Sequence, residues 1–242
     1  MTEKTFNKWF NAFILIGMAV VTVLVTAIKF RSAENGQWML LISAIGSLTG
    51  VLSTVLSANG RILTFLFGLI DVSIYGAMCL VGARYGNAAL HLLYFLPMQF
   101  VGFFQWKKRG ADSKKEVKAR RLSGKQWLLY GSIFLVGLTV AYFILASMDK
   151  TEAATVVKWL VMMDAVSMMC NLLGQYLLST AYMEQWFFWI GVNITSIAMW
   201  VLTLRQDPGS SYALIYVVKY SFYLLNSFNG LRIWYNLSRN KA

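Results

Sequence analysis

Apolar residues fall in long, nearly unbroken runs along this chain, separated by short polar breaks. Eight runs can be marked: Phe10 to Ile28, Trp38 to Ala58, Ile62 to Ala83, Asn87 to Trp106, Trp127 to Met148, Thr155 to Leu178, Tyr182 to Leu204 and Tyr212 to Tyr235. At 1.5 Å per residue each run can cross a hydrocarbon core of about 30 Å, and a helix satisfies its own backbone groups where water is absent. The period-2 alternation of a barrel strand does not fit. The pattern predicts an all-α membrane protein of eight transmembrane helices.

Composition excludes a water-soluble fold: 58% of residues are hydrophobic and 13% charged, against about 25% charged in a soluble domain. The net charge of +12 raises the question of nucleic acid, but nine of the 22 Lys and Arg residues fall between Lys107 and Lys125. Fifteen basic residues lie on the side shared by the two termini and six on the other, with Lys219 inside the last run. The positive-inside rule then puts both termini in the cytoplasm. The basic loop reads as a solvated, lipid-facing topology anchor, with lipid membrane rather than nucleic acid as its partner. Lys4 and Lys8 precede a first run too long for a cleaved signal, so it is expected to be a retained anchor. Trp9, Trp38, Trp106, Trp127, Trp186 and Trp234 sit near run ends, as interfacial rings do. Cys79 and Cys170 lie inside runs and read as small apolar residues, not a disulfide.

Helices 3 and 4 align weakly with helices 7 and 8. A shift of 122 matches Phe67 with Trp189, Asp71 with Asn193 and Ser73 with Thr195. A shift of 128 matches His91 with Lys219, Phe95 with Tyr223, Met98 with Asn226, Gly102 with Gly230 and Trp106 with Trp234. Helices 2 to 4 and 6 to 8 then form two three-helix bundles joined by helix 5. One intervening helix makes the repeat parallel, the class of the small SWEET sugar carriers. The chain divides accordingly into an extra N-terminal helix and loop (1–37), a first bundle (38–106), a basic loop with linker helix (107–154), and a second bundle with tail (155–242).

Polar side chains inside spans are costly and usually face a cavity or another helix. Asp164, Asn171 and Gln175 form one stripe of helix 6, and Trp186, Trp189 and Asn193 one stripe of helix 7. Lys219, Tyr223, Asn226 and Gly230 line helix 8, and His91, Phe95, Gln99 and Gly102 line helix 4, where Pro97 is expected to kink the chain beside Gln99. Any one amide can simply bond helices together. Amides and rings in this number point instead to a pocket for a flat, polar, cationic solute, because ring faces attract cations and carboxamides donate and accept hydrogen bonds. Pairing of Lys219 with Asp71 or Asp164 is open between a structural and a proton-coupling role. His91 is assigned none. There is no phosphate-cradling loop, zinc motif or nucleophile triad, so neither an enzyme nor a cofactor is expected.

Two segments resemble the PnuC family of bacterial nicotinamide riboside transporters: Tyr94-Phe95-Leu96-Pro97-Met98-Gln99 with Gly102 and Trp106, and Glu184-Gln185-Trp186-Phe187-Phe188-Trp189 with Asn193. The likeness runs from about Trp38 to Tyr235. It implies a SWEET-like fold of three plus one plus three helices, here with an extra N-terminal helix, forming a homotrimer in the bacterial inner membrane. It further implies facilitated diffusion of nicotinamide riboside for NAD biosynthesis, with the vitamin trapped by intracellular phosphorylation. Its pyridinium suits Trp186 or Trp189 and its amide suits Asn193 or Gln99. The ribose hydroxyls suit Asn171, Gln175 or Asn226, residues taken from the stripes rather than the motifs, as is Tyr223. Thiamine and riboflavin-like vitamins are alternative solutes. A retinal photoreceptor with its Schiff base on Lys219 is the alternative from another class.

Overall fold

The computed structural model describes residues 2–30, 37–81, 85–148, 155–206 and 211–239. Eight helical rods carry these residues: α1 (Glu3–Phe30), α2 (Gln37–Ala58), α3 (Thr64–Val81), α4 (Tyr85–Lys108), α5 (Gly124–Met148), α6 (Thr155–Ser179), α7 (Gln185–Gln206) and α8 (Ser211–Arg239). Each corresponds to one apolar run, and seven are long and apolar enough to cross a membrane. α8 falls short on apolarity because Lys219, Asn226, Asn229, Arg232 and Asn236 interrupt it. The chain is an all-helical membrane protein.

α4 is not uniform. Leu90–Phe95 is wound as a π-helix and Leu96 donates its N–H to the His91 carbonyl. Pro97 follows at once. It has no N–H, and its ring crowds the carbonyl four residues back, so a wider turn relieves the conflict. The irregularity expected beside Gln99 is therefore present, on the N-terminal side of the proline.

α2 packs on α3 and α3 on α4; α6 packs on α7 and α7 on α8. Contacts of α4 with α6 and of α2 with α8 join the two sets, α1 lies against α2 and α8, and α5 leans on α6. Ile14 and Met18 of α1 are buried with Val51 and Val55 of α2, while Ile16, Val20, Val23 and Leu24 remain exposed as a lipid-facing surface. Most of α5 is exposed in the same way.

Equivalent devices recur 121 residues apart. α2 ends with Gly60 N–H bonding to Ser57 O and Arg61 N–H to Leu56 O; α6 ends with Ala181 N–H bonding to Leu178 O and Tyr182 N–H to Leu177 O. Gly60 and Ala181 both take positive φ, 64° and 63°, the left-handed cap that closes a helix end. The turns thus register at 121 rather than 122, while Trp106 and Trp234 keep the spacing of 128. Trp106 Nε1 donates to Leu178 O at 2.8 Å and Trp234 Nε1 to Ser57 O at 2.9 Å. Each indole from the end of one set therefore caps the first helix of the other.

The loop after α4 keeps its basic side chains solvated, as expected, and is also fastened to the helices. Its basic side chains Lys114, Lys115, Lys118 and Arg120 are exposed, but Ala111, Val117 and Leu122 are buried. Val117 N–H bonds to Gly60 O, Arg120 N–H to Ala181 O, Met183 N–H to Arg120 O, and Leu122 N–H to the Glu184 carboxylate. The loop is a strap bound across both helical turns. Arg121 reaches Ser238, and Arg232 pairs with Glu3 at 3.1 Å, so Glu3 and Ser238 lie at this same end of the molecule. Trp106, Trp186 and Trp234 are corrected: they are 0%, 3% and 0% exposed, core rather than interfacial rings, whereas Trp9, Trp38 and Trp127 are exposed as expected.

Candidate functional site

Near the strap, aromatic rings close the space between the helix sets. Phe65 meets Trp106 edge-on at 4.8 Å, Trp106 meets Trp234 at 5.3 Å, and Trp234 meets Trp186 at 6.4 Å. Glycines admit these rings: the Phe65 ring occupies the place of a side chain at Gly102, and the Trp186 ring that at Gly230. Ala58, Ile62, Ala111, Val117 and Ala181 complete this floor.

A polar layer lies above it. Gln99 is seven residues from Trp106, Asn193 seven from Trp186, Ser227 seven from Trp234 and Asn171 seven from Leu178; two helical turns lift all four by ~10 Å. Gln99 is buried, its Nε2 bonding to Phe95 O at 3.2 Å and its Oε1 against Gly68. Asn193 Nδ2 donates to Ser227 Oγ at 3.0 Å, tying α7 to α8. Asn226 Nδ2 donates to Thr54 O at 3.2 Å, tying α8 to α2. Asn171 is half-buried and donates to Ser167 O on its own helix. Gln175 lies lower, bonding Ser179, whose hydroxyl donates to Met98 O on α4. Trp189 packs against Gly174, and Gly191 lies against the Cys170 sulfur. Small residues let these helices approach closely. Both cysteines are free and buried, as expected.

Buried polar atoms are normally bonded. Here Asn226 Oδ1, Trp186 Nε1 and both carboxamide atoms of Gln185 are buried without a partner. Orphans of this kind suit a visiting solute or water.

Tyr223 lies one turn before Asn226 on α8 and packs with Phe222 against the Ile14–Val55 cluster. It lies beside Lys219, whose ammonium is 5.7 Å from its ring. Lys219 interacts electrostatically with Asp71, so Asp71 rather than Asp164 is its counter-charge. Asp71 in turn packs on Gly50. His91 packs between Tyr75 and Phe95. Among the described residues no cluster of His, Cys, Asp and Glu could hold a metal. Ser227 and Gln185 were absent from the candidates: a serine in an apolar span carries little signal, and Gln185 was visible only as part of a motif.

The sequence profile of the family described as nicotinamide mononucleotide transporter matches residues 40–236. The chain belongs to this family. It is thus a membrane transporter, not an enzyme, and sits among multi-pass proteins of the bacterial inner membrane. The nicotinamide riboside transporter PnuC of Neisseria mucosa is 34% identical over 205 residues, covering 83% of this chain and 74% of the relative. PnuC of Haemophilus influenzae is 32% identical, covering 83% and 80%. Among solved structures, a crystal structure of the vitamin B3 transporter PnuC matches with a TM-score of 0.68 and 29% identity, over 100% of this chain and 94% of that one. In this transporter family, Lys219 needs no Schiff-base role.

Proposed function

We propose that this chain carries nicotinamide riboside through a central site in the polar layer. The observation that supports it best is the pair of buried, unpartnered atoms Trp186 Nε1 and Asn226 Oδ1 on the packed helices α7 and α8, which Asn193 and Ser227 also tie together. A pyridinium cation gains from an indole face, a carboxamide from an amide partner, and ribose hydroxyls from orphaned donors and acceptors. The relatives' names supply the solute with this chemistry.

In this reading Trp186 and Trp189 contact the ring, Gln99 and Asn193 the carboxamide, and Asn171, Gln175 and Asn226 the ribose; Tyr223 acts through its neighbours. Helices α2–α4 and α6–α8 are two parallel bundles that rock about the site by alternating access, with downhill flux. The paired helix caps and crossed indole bonds support that division. The basic end faces the cytoplasm by its charge, and the family resemblance carries a homotrimer, checked by mass in detergent. Asn193→Leu in reconstituted vesicles is expected to abolish saturable nicotinamide riboside uptake. Retained uptake by the folded variant would move the site elsewhere.

A further inference from the structure

The stripes that feed the polar layer do not stop there. Two helical turns beyond Asn171 on α6 lies Asp164, and two turns beyond Asn193 on α7 lies Trp200, with Thr203 one turn further. By helical rise these groups stand another ~10 Å from the aromatic floor, toward the end opposite the strap. Together they line a cavity of about 390 Å³ between α5, α6 and α7, with apolar walls from Leu145, Leu160 and Met199. The volume falls within the range of small-molecule sites, roughly 300–1,000 Å³.

The polar groups of this cavity share one electrostatic character. Asp164 has no salt-bridge partner among the described residues. Thr203 commits its hydroxyl proton to Met199 O at 3.0 Å, leaving its oxygen as an acceptor. Trp200 stacks on Tyr216 at 4.4 Å and 10°, which fixes the plane of the indole. The interior cation Lys219 lies 5.9 Å from the ring of that same Tyr216 and interacts with Asp71, while Lys158 on α6 and Arg205 on α7 are exposed. Among the described residues the cavity lining holds a carboxylate without an ion pair, an acceptor oxygen and an aromatic ring, the complement of an organic cation.

We propose that this cavity is an outer capture site, where Asp164 and the Trp200 ring hold an organic cation before it descends the α6 and α7 stripes to the polar layer. The proposal rests on the cationic-vitamin reading above and adds a second station to it. A carboxylate about 6 Å from a bound cation shifts occupancy by about a hundredfold at an effective dielectric near 20, and by about tenfold where solvent at the cavity mouth raises it to about 40.

The test compares two solutes in the same proteoliposomes: nicotinamide riboside, a pyridinium cation, and its dihydro form, which has an uncharged ring. Initial uptake is measured below saturation for the wild type, Asp164→Asn, Asp164→Glu and Trp200→Leu, each first shown to be monodisperse. The ratio of cation to neutral uptake is expected to fall about tenfold in Asp164→Asn and severalfold in Trp200→Leu, and to stay within about twofold of wild type in Asp164→Glu. An unchanged ratio in both Asp164→Asn and Trp200→Leu, with saturable wild-type uptake of the cation, overturns the capture site while leaving the central site intact. A wild type that takes up neither form removes the substrate reading, and the capture site with it. Should Asp164→Asn fail to fold, the Trp200→Leu ratio decides alone.

Discussion

Replacing Gly230 with alanine tests the aromatic floor at its tightest point. A methyl built there lies 2.5 Å from two carbons of the Trp186 six-membered ring and 2.7 Å from a third. Ordinary carbon contact begins near 3.5 Å, so the ring must withdraw by about 1 Å. It has little room to do so, being 3% exposed and packed on Trp234. Overpacking of this kind costs about 1–3 kcal/mol, equivalent at 2–4 °C per kcal/mol to a fall of roughly 2–12 °C in a chain of this size. Affinity for a cationic solute falls as well, because the displaced ring is one of its two candidate platforms. Trp186→Leu removes the clashing carbons, so a double-mutant cycle followed by thermal denaturation in detergent isolates the contact. A favourable coupling of about 1–2 kcal/mol is expected. If Gly230→Ala costs as much without the Trp186 ring as with it, the floor is not packed as described.

The two crossed indole bonds should behave as a pair. Trp106→Phe and Trp234→Phe each lose one buried hydrogen bond and some packing, and their costs in detergent denaturation are expected to agree within about 1 kcal/mol. Lys219→Met removes the charge that interacts with Asp71 inside the bundle and is expected to destabilise by about 0.5–3 kcal/mol. Adding Asp71→Asn should recover most of that loss in the same melt. Val117→Asp places a carboxylate at a strap position that is 1% exposed; limited proteolysis is expected to cut within 109–123 in this variant and to spare the wild type.

All eight rods were legible in the sequence, because an unbroken apolar run of this length has one stable form in lipid. Which face of a rod points inward was legible only where polar residues marked it. Gln99, Asn193 and Asn226 carried such marking and are buried, while Tyr223 was weaker marking because a tyrosine in a stripe also suits an apolar cluster. Trp106 and Trp234 were misplaced at the lipid interface: nearness to a helix end says nothing of azimuth, and their bonds to Leu178 and Ser57 are long-range. The strap hid for a similar reason. Its charges dominate the composition, while three small or aliphatic residues, Ala111, Val117 and Leu122, hold it down. The positive φ of Ala181 also left no trace, since glycine is the usual residue there and only Gly60 carried that mark.

Calorimetric titration of the purified, detergent-solubilised protein with nicotinamide riboside, beside thiamine, tests the central claim most directly. Saturable binding of nicotinamide riboside, lost in Asn193→Leu and weakened in Trp189→Ala, is the expected result. Binding of thiamine alone would keep the fold and replace the solute, and no binding of either would contradict a vitamin site in the polar layer.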